Sequence, residues 1–381
     1  MKLTCSQSDL NQALALVSRA ISSRPTHQIL ATVLLEADAD TGQLTLTGYD
    51  LALGIQSTVP ASVETSGTAA LPAHLLGGIV ARLANDSPIT LCAGEGQATI
   101  TSLTGSYQLS AADSIDYPDL PAATGDSLSV DTDALARAIR ATAFCASTEE
   151  SKQILIGVYL RLDDAGLECA ATDGHRLAVF VVTDDGETAS TGQPRFTIPA
   201  RITIPAKSIR ELERLISSNP GATLTLCHHG GQLLATCGDQ RLISRTLDGT
   251  YPNYRQLIPP SFSRSLKFDR RGFSRALERV AVLVDQQNNA VKLRSDPEAG
   301  TVTILADAQD VGRGSESLPV VAEGEPIEIA LNVRYLLDGL KAMTSDQVLL
   351  RCNDPTTPAV LSPSGDENDF TYLVMPMVIR A

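Results

Sequence analysis

Apolar residues recur at helical spacing in three well-separated stretches, "LNQALALVSRA" from Leu10, "LARAIRATAFC" from Leu135 and "FSRALERVAVL" from Phe273. Apolar positions at i, i+3 and i+4 predict an amphipathic helix in each. A run of alternating apolar and polar residues follows every time: "GQLTLTGYDLALGI", "GLECAATDGHRLAVFVV" and "GTVTILADAQDVGRG". Alternation with β-branched residues predicts strands, and the Gly and Asp positions inside the runs predict turns. A second helical stretch then opens at "LPAHLLGGIVARL", "IPAKSIRELERLI" and "LNVRYLLDGLKAM", and the three segments close on "YPDLPA", "YPNYRQLIP" and "VMPM".

The spacing of these features identifies an internal repeat. Leu14 precedes Leu30, Ile139 precedes Leu155 and Leu277 precedes Leu293 by 16 residues each. From Pro72 to Pro118, Pro205 to Pro252 and Asn332 to Pro376 the intervals are 46, 47 and 44. Three copies are therefore expected at residues 1–122, 128–260 and 266–381, with "PAATGDS" and "PPSFSRS" as linkers. Each copy runs strand, helix, strands and then strand, helix, strands again. This order predicts an α+β fold with two helices packed on antiparallel sheets in every copy.

Composition narrows the function classes. The chain has 381 residues, 43% apolar and 19% charged, a balance that suits a soluble globular protein of two or three domains. No apolar run is long enough to span a membrane. The opening stretch meets Asp9 early and lacks the plan of a secretory signal, so a cytoplasmic location is expected. The seven cysteines are scattered without a C-x-x-C pair and are expected to be buried, reduced thiols. His228 and His229 are neighbours in a strand, point to opposite faces and are expected to end a hairpin before Gly230 and Gly231. Neither a metal nor a cofactor is expected.

The formal net charge of −14 argues against a protein that coats nucleic acid with its outer surface. Yet five of the six predicted helix windows (residues 73–84, 132–143, 206–217, 270–281 and 333–344) are net positive, and only 7–20 is neutral. Lys207, Arg210 and Arg214 fall on one helical face opposite Ile209, Leu212 and Ile216, and Arg271, Arg275 and Arg279 recur at every fourth position. A solvated face would look the same in any one helix. The concentration of cations on helices in an acidic chain points to a polyanion facing them, contacted through phosphates without sequence choice, because no aromatic residues interleave.

The stretch "ATDGHRLAV", residues 171–179, gathers an acid, an imidazole and a guanidinium. An enzyme reading would make His175 a general base oriented by Asp173, with Arg176 holding an anionic substrate. No nucleophile elbow, P-loop or H-E-x-x-H motif accompanies it. The corresponding stretches "TGYDLALG" and "ADAQDVGRG" keep an acid and lack histidine, so Asp173 and Gly174 are expected to serve a turn first.

"SSRPTHQIL" near the start, "ATDGHRLAV" in the middle copy, "LDGTYPNYRQLIP" at its close and the ending "YLVMPMVIRA", on a triplicated plan, resemble the β subunit of bacterial DNA polymerase III, the replicative sliding clamp family. The resemblance covers the whole chain. It implies a non-catalytic processivity factor whose three clamp domains close into a ring as a head-to-tail homodimer around double-stranded DNA. It also implies binding of the polymerase III alpha subunit, the clamp loader, other polymerases and repair proteins through short linear motifs, in a nucleoid-associated setting. The family's partner-peptide pocket maps onto Leu155, Thr172, Gly174, His175, Arg176, Leu177, Pro252, Leu257, Leu373, Val374, Met375, Pro376 and Met377. Such aliphatic and methionine side chains suit an adaptable groove for an extended peptide.

For DNA, Arg24, Arg137, Lys207 and Arg214 match family positions. Helix spacing and the nearby loop add Arg140, Lys152, Arg210, Arg275 and Arg279. The dimer interface is expected where Tyr107 and Leu109 meet Val282 and Leu283. The chain departs from the family pattern at Gln256, where a second arginine is familiar, at Glu149 and His74, and in the four residues that follow "MPM". An alternative built on the residues alone is a scaffold that binds proteins but no DNA.

Overall fold

The computed structural model describes residues 1–22, 24–85, 87–121, 127–163, 166–182, 200–284, 289–308, 312–365 and 369–377. Most of the expected linker "PAATGDS" and the tail 378–381 lie outside the described residues.

The three copies repeat one order of elements. In the first, β1 (Lys2–Ser6) leads into α1 (Gln7–Val17), then β2 (Thr32–Asp38), β3 (Gln43–Tyr49), β4 (Leu53–Pro60) and a short β5 (Ser62–Thr65). Its second half is β6 (Gly67–Pro72), α2 (Ala73–Val80), β7 (Pro88–Gly94), β8 (Gln97–Thr101) and β9 (Ser106–Ser110). The middle copy has β10 (Ser127–Val130), α3 (Thr132–Thr142), β11 (Gly157–Asp163), β12 (Gly166–Thr172) and β13 (Arg176–Val182). It continues with β14 (Ala200–Pro205), α4 (Ala206–Ser218), β15 (Leu224–His229), β16 (Gln232–Cys237) and β17 (Gln240–Arg245). The third has β18 (Arg264–Asp269), α5 (Arg270–Ala281), β19 (Ala290–Asp296), β20 (Thr301–Ala308), β21 (Gly312–Pro319) and a short β22 (Val321–Glu323). It closes with β23 (Glu328–Asn332), α6 (Val333–Ala342), β24 (Gln347–Cys352), β25 (Ala359–Pro363) and β26 (Phe370–Val374).

Local sequence accounts for the helix ends. The Asp269 carboxylate accepts from the Gly272 N–H at 2.6 Å, and the Asn332 side chain accepts from the amides of Arg334 and Tyr335. Both are N-caps that satisfy donors a first turn leaves open. Helix α2 is shorter than its apolar pattern predicts: it stops at Val80 and Arg82 folds back onto the Gly78 carbonyl at 2.7 Å.

The sheets do not respect the copies. Strands order as β5-β1-β7-β8-β9, as β10-β15-β16-β17-β4-β3-β2-β6, as β14-β11-β12-β13-β26-β25-β24-β18-β22, and as β21-β20-β19-β23. All ladders are antiparallel. β17 pairs with β4, so the middle copy completes a sheet begun in the first; β13 pairs with β26, so it also completes one that ends the chain. Two compact units result. One holds residues 1–132 and 211–246, the other 133–210 and 247–381.

Within the first unit, Leu3, Leu10, Leu14, Leu35, Leu44, Leu46 and Ile55 are fully buried, and α1 packs beside α2. Within the second, α5 packs beside α6, and Tyr372, Phe268 and Phe273 are among the largest buried side chains. The stretch "PPSFSRS" is not a loose linker. Ser263 N–H donates to the Asn353 side chain at 2.8 Å, and that side chain donates to the Ser261 carbonyl at 3.0 Å. All seven cysteines are free; burial raises the Cys5 thiol to about 12 and Cys352 to about 11, so these two are poor nucleophiles at neutral pH.

Helix α6 reaches β26 at Gly339, where an added Cβ would overlap the Tyr372 ring; the Tyr372 hydroxyl donates to the Tyr335 carbonyl at 2.8 Å. Gly339→Ala is expected to cost about 1–3 kcal/mol by forcing this contact apart. Thermal unfolding checks it, and an unchanged midpoint would contradict the packing.

Candidate functional site: an apolar groove beside the β12–β13 turn

Strand β12 turns into β13 through Asp173, Gly174 and His175. Asp173 Oδ1 accepts from the amides of His175 at 2.9 Å and Arg176 at 3.0 Å, and Gly174 takes a φ of +95°, a region open to glycine. The Thr172 hydroxyl donates to the Arg176 carbonyl at 2.6 Å and accepts from Gly174 N–H at 3.1 Å. The turn is thus closed by its own side chains. Asp173 Oδ2 takes the Arg176 Nε at 3.0 Å. Both carboxylate oxygens serve the turn and Arg176, which leaves the general-base reading of His175 without its orienting acid.

Arg176 is the residue whose expected role changes most. Its side chain is only 12% exposed. Nη1 donates to Asp338 of α6 at 2.6 Å, Nη2 donates to the Phe144 carbonyl at 3.0 Å, and the guanidinium lies 4.5 Å from the Tyr335 ring centroid. Burial is the largest influence and opposes its charge, but the hydrogen bond to Asp338 together with Tyr372 and Cys145 outweighs it, and its pKa lies above the ordinary arginine range. It ties the turn to α6.

Next to this turn the chain's end completes the sheet. Arg176 sits opposite Val374 and Leu177 opposite Leu373 in the β13–β26 ladder. Met375 N–H then donates to the His175 carbonyl at 2.9 Å, and Met377 N–H to the Ala330 carbonyl of β23 at 2.8 Å. Leu177 and Leu373 are buried on one face of the sheet and Val374 is buried on the other, the face of Arg176, whereas Met375 is exposed and Pro376 and Met377 are half-buried.

The opposite wall is the segment Tyr251–Ile258, with a 3-10 turn at Tyr254–Leu257. Tyr251, Tyr254, Leu177, Val179, Leu373, Val360 and Ala170 make one apolar cluster, and Ile154, Leu155, Tyr159, Ile258 and Phe262 pack against it. Tyr159 stacks on Tyr251 at 5.4 Å between ring centroids and meets Tyr254 edge-on at 6.1 Å. Tyr251 also accepts the Thr172 N–H at 3.1 Å. Burial raises both the Tyr251 and the Tyr254 hydroxyls. Pro252 and Leu257 are exposed at the rim.

Of the expected groove residues, Leu177 and Leu373 belong to this apolar cluster and Leu155 packs against it, whereas Arg176 and Val374 lie on the opposite face of the β13–β26 ladder. The sequence reading missed Tyr159, Tyr251, Tyr254, Val360 and Phe262. The tyrosines in "YPNYRQLIP" were a visible signal; Val360 and Tyr159 had none, since only strand pairing brings them in.

The basic positions fall elsewhere. Arg137 and Arg140 on α3, Lys207, Arg210 and Arg214 on α4, and Arg271, Arg275 and Arg279 on α5 are exposed, over buried Ile209, Leu212, Phe273 and Leu277. Several have partners: Arg210 donates to the Ala143 carbonyl at 2.8 Å, Arg214 pairs with Glu211, and Arg279 makes a two-bond pair with Glu316 of β21. Arg24 is exposed. Lys152, expected with these cations, lies beside the groove turn, donating to Glu149 at 3.0 Å and the Asp173 carbonyl at 3.1 Å. Tyr107 and Leu109 lie on β9, an edge strand; Val282 is 76% exposed. Leu283 is half-buried against Gly314 of β21, another edge strand. Among the described residues no group of three or more His, Cys, Asp or Glu side chains could hold a metal ion, and no helix is long and apolar enough to cross a membrane.

Fold and site define a triplicated α+β protein built from antiparallel sheets, with an apolar cluster beside the β12–β13 turn and basic helix faces. Comparison with known proteins gives the family. The N-terminal, central and C-terminal domains of the DNA polymerase III beta subunit match residues 1–121, 129–253 and 255–378. Beta sliding clamps of Synechococcus elongatus and Synechocystis are 48% and 44% identical, covering 100% and 99% of both chains. Solved structures of sliding clamps from Pseudomonas aeruginosa, bound to griselimycin, and from Bacillus subtilis each superpose with a TM-score of 0.91 at 27% identity, over 100% of both chains. The chain belongs to the DNA polymerase III beta subunit family, and a processivity-clamp role follows from that membership.

Replacing Asp173 with alanine removes the acceptor of two turn amides and of Arg176. Amide exchange at His175 and Arg176 is expected to accelerate by roughly two- to tenfold, the equivalent of about 0.5–1.5 kcal/mol for a hydrogen bond lost at a partly exposed turn. Unchanged exchange would mean the turn does not rely on that carboxylate.

Proposed function

We propose that this chain is a replicative sliding clamp: a head-to-tail homodimer that closes around duplex DNA and tethers the polymerase III alpha subunit, the clamp loader, other polymerases and repair proteins. It has no catalytic step of its own. The repeat boundaries 1–122, 128–260 and 266–381 mark its three clamp domains, and it works in the cytoplasm at the nucleoid.

One observation carries the reading. The five-stranded sheet of the first copy ends at β9 and the four-stranded sheet of the third copy ends at β21, each an edge strand. Unpaired edges are templates for another chain. A second copy offering β21 to β9 would satisfy both, with Tyr107 and Leu109 against Val282 and Leu283, and a closed ring would leave no such edge there. The exposed cations on α3, α4 and α5 then supply phosphate contacts weak enough for movement along the duplex, because closure and not affinity retains the DNA.

Leu283 already packs on Gly314 in its own chain, so Val282 is the cleaner probe of the interface. Val282→Asp is expected to give monomers in sedimentation with unchanged thermal stability, since it places a charge where apolar surface is to be covered. A dimer at micromolar concentration would count against this seam.

Loaded on nicked circular DNA, the wild-type protein should remain until the circle is linearised. The Lys207→Glu, Arg275→Glu variant should leave sooner, while affinity for short linear duplex falls by roughly one log unit per log unit of salt for each phosphate neutralised. Retention indifferent to linearisation would refute encirclement.

A further inference from the structure

Between Glu95 and Asp113 the chain has no charged residue. Residues 96–112, "GQATITSLTGSYQLSAA", supply β8, the hairpin turn and the edge strand β9. Tyr107 and Leu109 lie opposite buried Ile100 and Ala98 and share the inner face, while Ser106, Gln108 and Ser110 take the outer one. Leu103 at the turn is 79% exposed. An open strand edge is ordinarily guarded by charge, above all by lysine, which discourages pairing with another chain. This edge has no such guard.

The two acids that bracket the segment do not extend onto the edge. Glu95 sits at the β7–β8 turn, one strand in. At Ala112 the chain leaves the sheet and bridges to Ala70 of β6, and Asp113 caps the 3-10 turn that follows, accepting from the Ile115 amide at 3.0 Å. Helix α2 of the same copy has no Asp, Glu, Lys or Arg.

The edge at β21 does carry charge, and its own chain compensates it. Glu316, on the inner face with Gly314, accepts two hydrogen bonds from Arg279 of α5, which hold its carboxyl below the usual range. Arg313, on the outer face, donates to Asp307 of β20 at 2.9 Å, its partner directly across the ladder. Glu278, one helical turn before Val282, is exposed. An ion pair between the two edges needs a counter-charge for any of these groups, and residues 96–112 hold none.

We propose that the seam between two copies of this chain is a charge-free joint: no ion pair crosses from β9 to β21, and the copies are held by the backbone ladder and by apolar contact alone. The inference rests on the homodimeric ring proposed above, whose second copy covers both edges. Its consequence is a division of labour under salt. Contacts to DNA phosphates weaken as salt rises, whereas closure of the ring does not respond to it. Parting the seam therefore takes work against hydrogen bonds and apolar surface, and a change in ionic conditions cannot supply it.

The dimer dissociation constant of the full-length protein tests this, read by fluorescence-detected sedimentation of a dilution series. Between about 0.1 and about 1 M NaCl, where the screening length shrinks from about 10 to about 3 Å, the dimer is expected to weaken by no more than about threefold. One exposed ion pair is worth up to about fivefold, and a ring with two seams would feel it twice, so a larger weakening overturns the inference. Arg313→Gln is expected to leave the constant within about twofold, because Asp307 and not the second copy holds that cation; a greater loss would place it across the seam and overturn the inference too. A dimer that Val282→Asp breaks and salt also weakens leaves the ring standing and this inference refuted. A wild-type protein that is monomeric throughout removes the ring itself.

Discussion

An antiparallel sheet cannot end without leaving a row of unpaired amides and carbonyls, and the structure depends on how it meets that constraint. The middle copy contributes β15–β17 to one sheet and β11–β14 to another. Each is completed by strands from a different part of the chain, through the β17–β4 and β13–β26 ladders. Compactness follows these ladders, which is why the two dense units cut the middle copy in half. The cost of an open strand edge, with its unsatisfied backbone groups, favours such fusion over three separate domains.

The groove is a product of the same joint. β26 reaches β13 and the ladder runs on past its last strand residue, through Met375 N–H to the His175 carbonyl, so the apolar chain end is delivered to the turn. Leu177 and Leu373 become floor because a strand's alternate side chains share one face. Walls come from segments that pair with nothing, and they are held by side chains: Glu168 for the Tyr251–Ile258 segment, Asp173 and Asp338 for Arg176. Charged groups near the groove thereby act on the protein's own geometry. The exposed cations on the helices stand over buried Ile209, Leu212 and Phe273, where the amphipathic pattern puts them.

Much of this was legible in the chain alone. The recurring order of helix and strand patterns marked three copies, although the 16-residue interval ends in a turn before β2 and before β11 but inside β19; the 3.6-residue stripe of α4 placed Lys207, Arg210 and Arg214 on one side, and Asp173 with Gly174 announced a turn. These are local patterns, governed by spacing of a few residues, and they survive whatever the chain does elsewhere. Helix length was less secure: α2 halts at Val80 although apolar residues continue, the backbone passing to i,i+3 bonds at Arg82 and Leu83 while the Arg82 side chain takes the Gly78 carbonyl.

What tertiary structure alone decided are the pairings between residues far apart. Nothing in "ATDGHRLAV" tells that Arg176 meets Asp338, 162 residues on, or that Glu168 captures Arg255, 87 residues on. A charged residue reads as free until its partner is found, and burial is a property of neighbours in space. The sequence determined the repeat, the helix faces and the turn, since these follow from periodicity and local hydrogen bonding. Which cations are spent inside the molecule and which face outward depended on strand pairing across the copies, a choice made by distant backbone groups seeking partners.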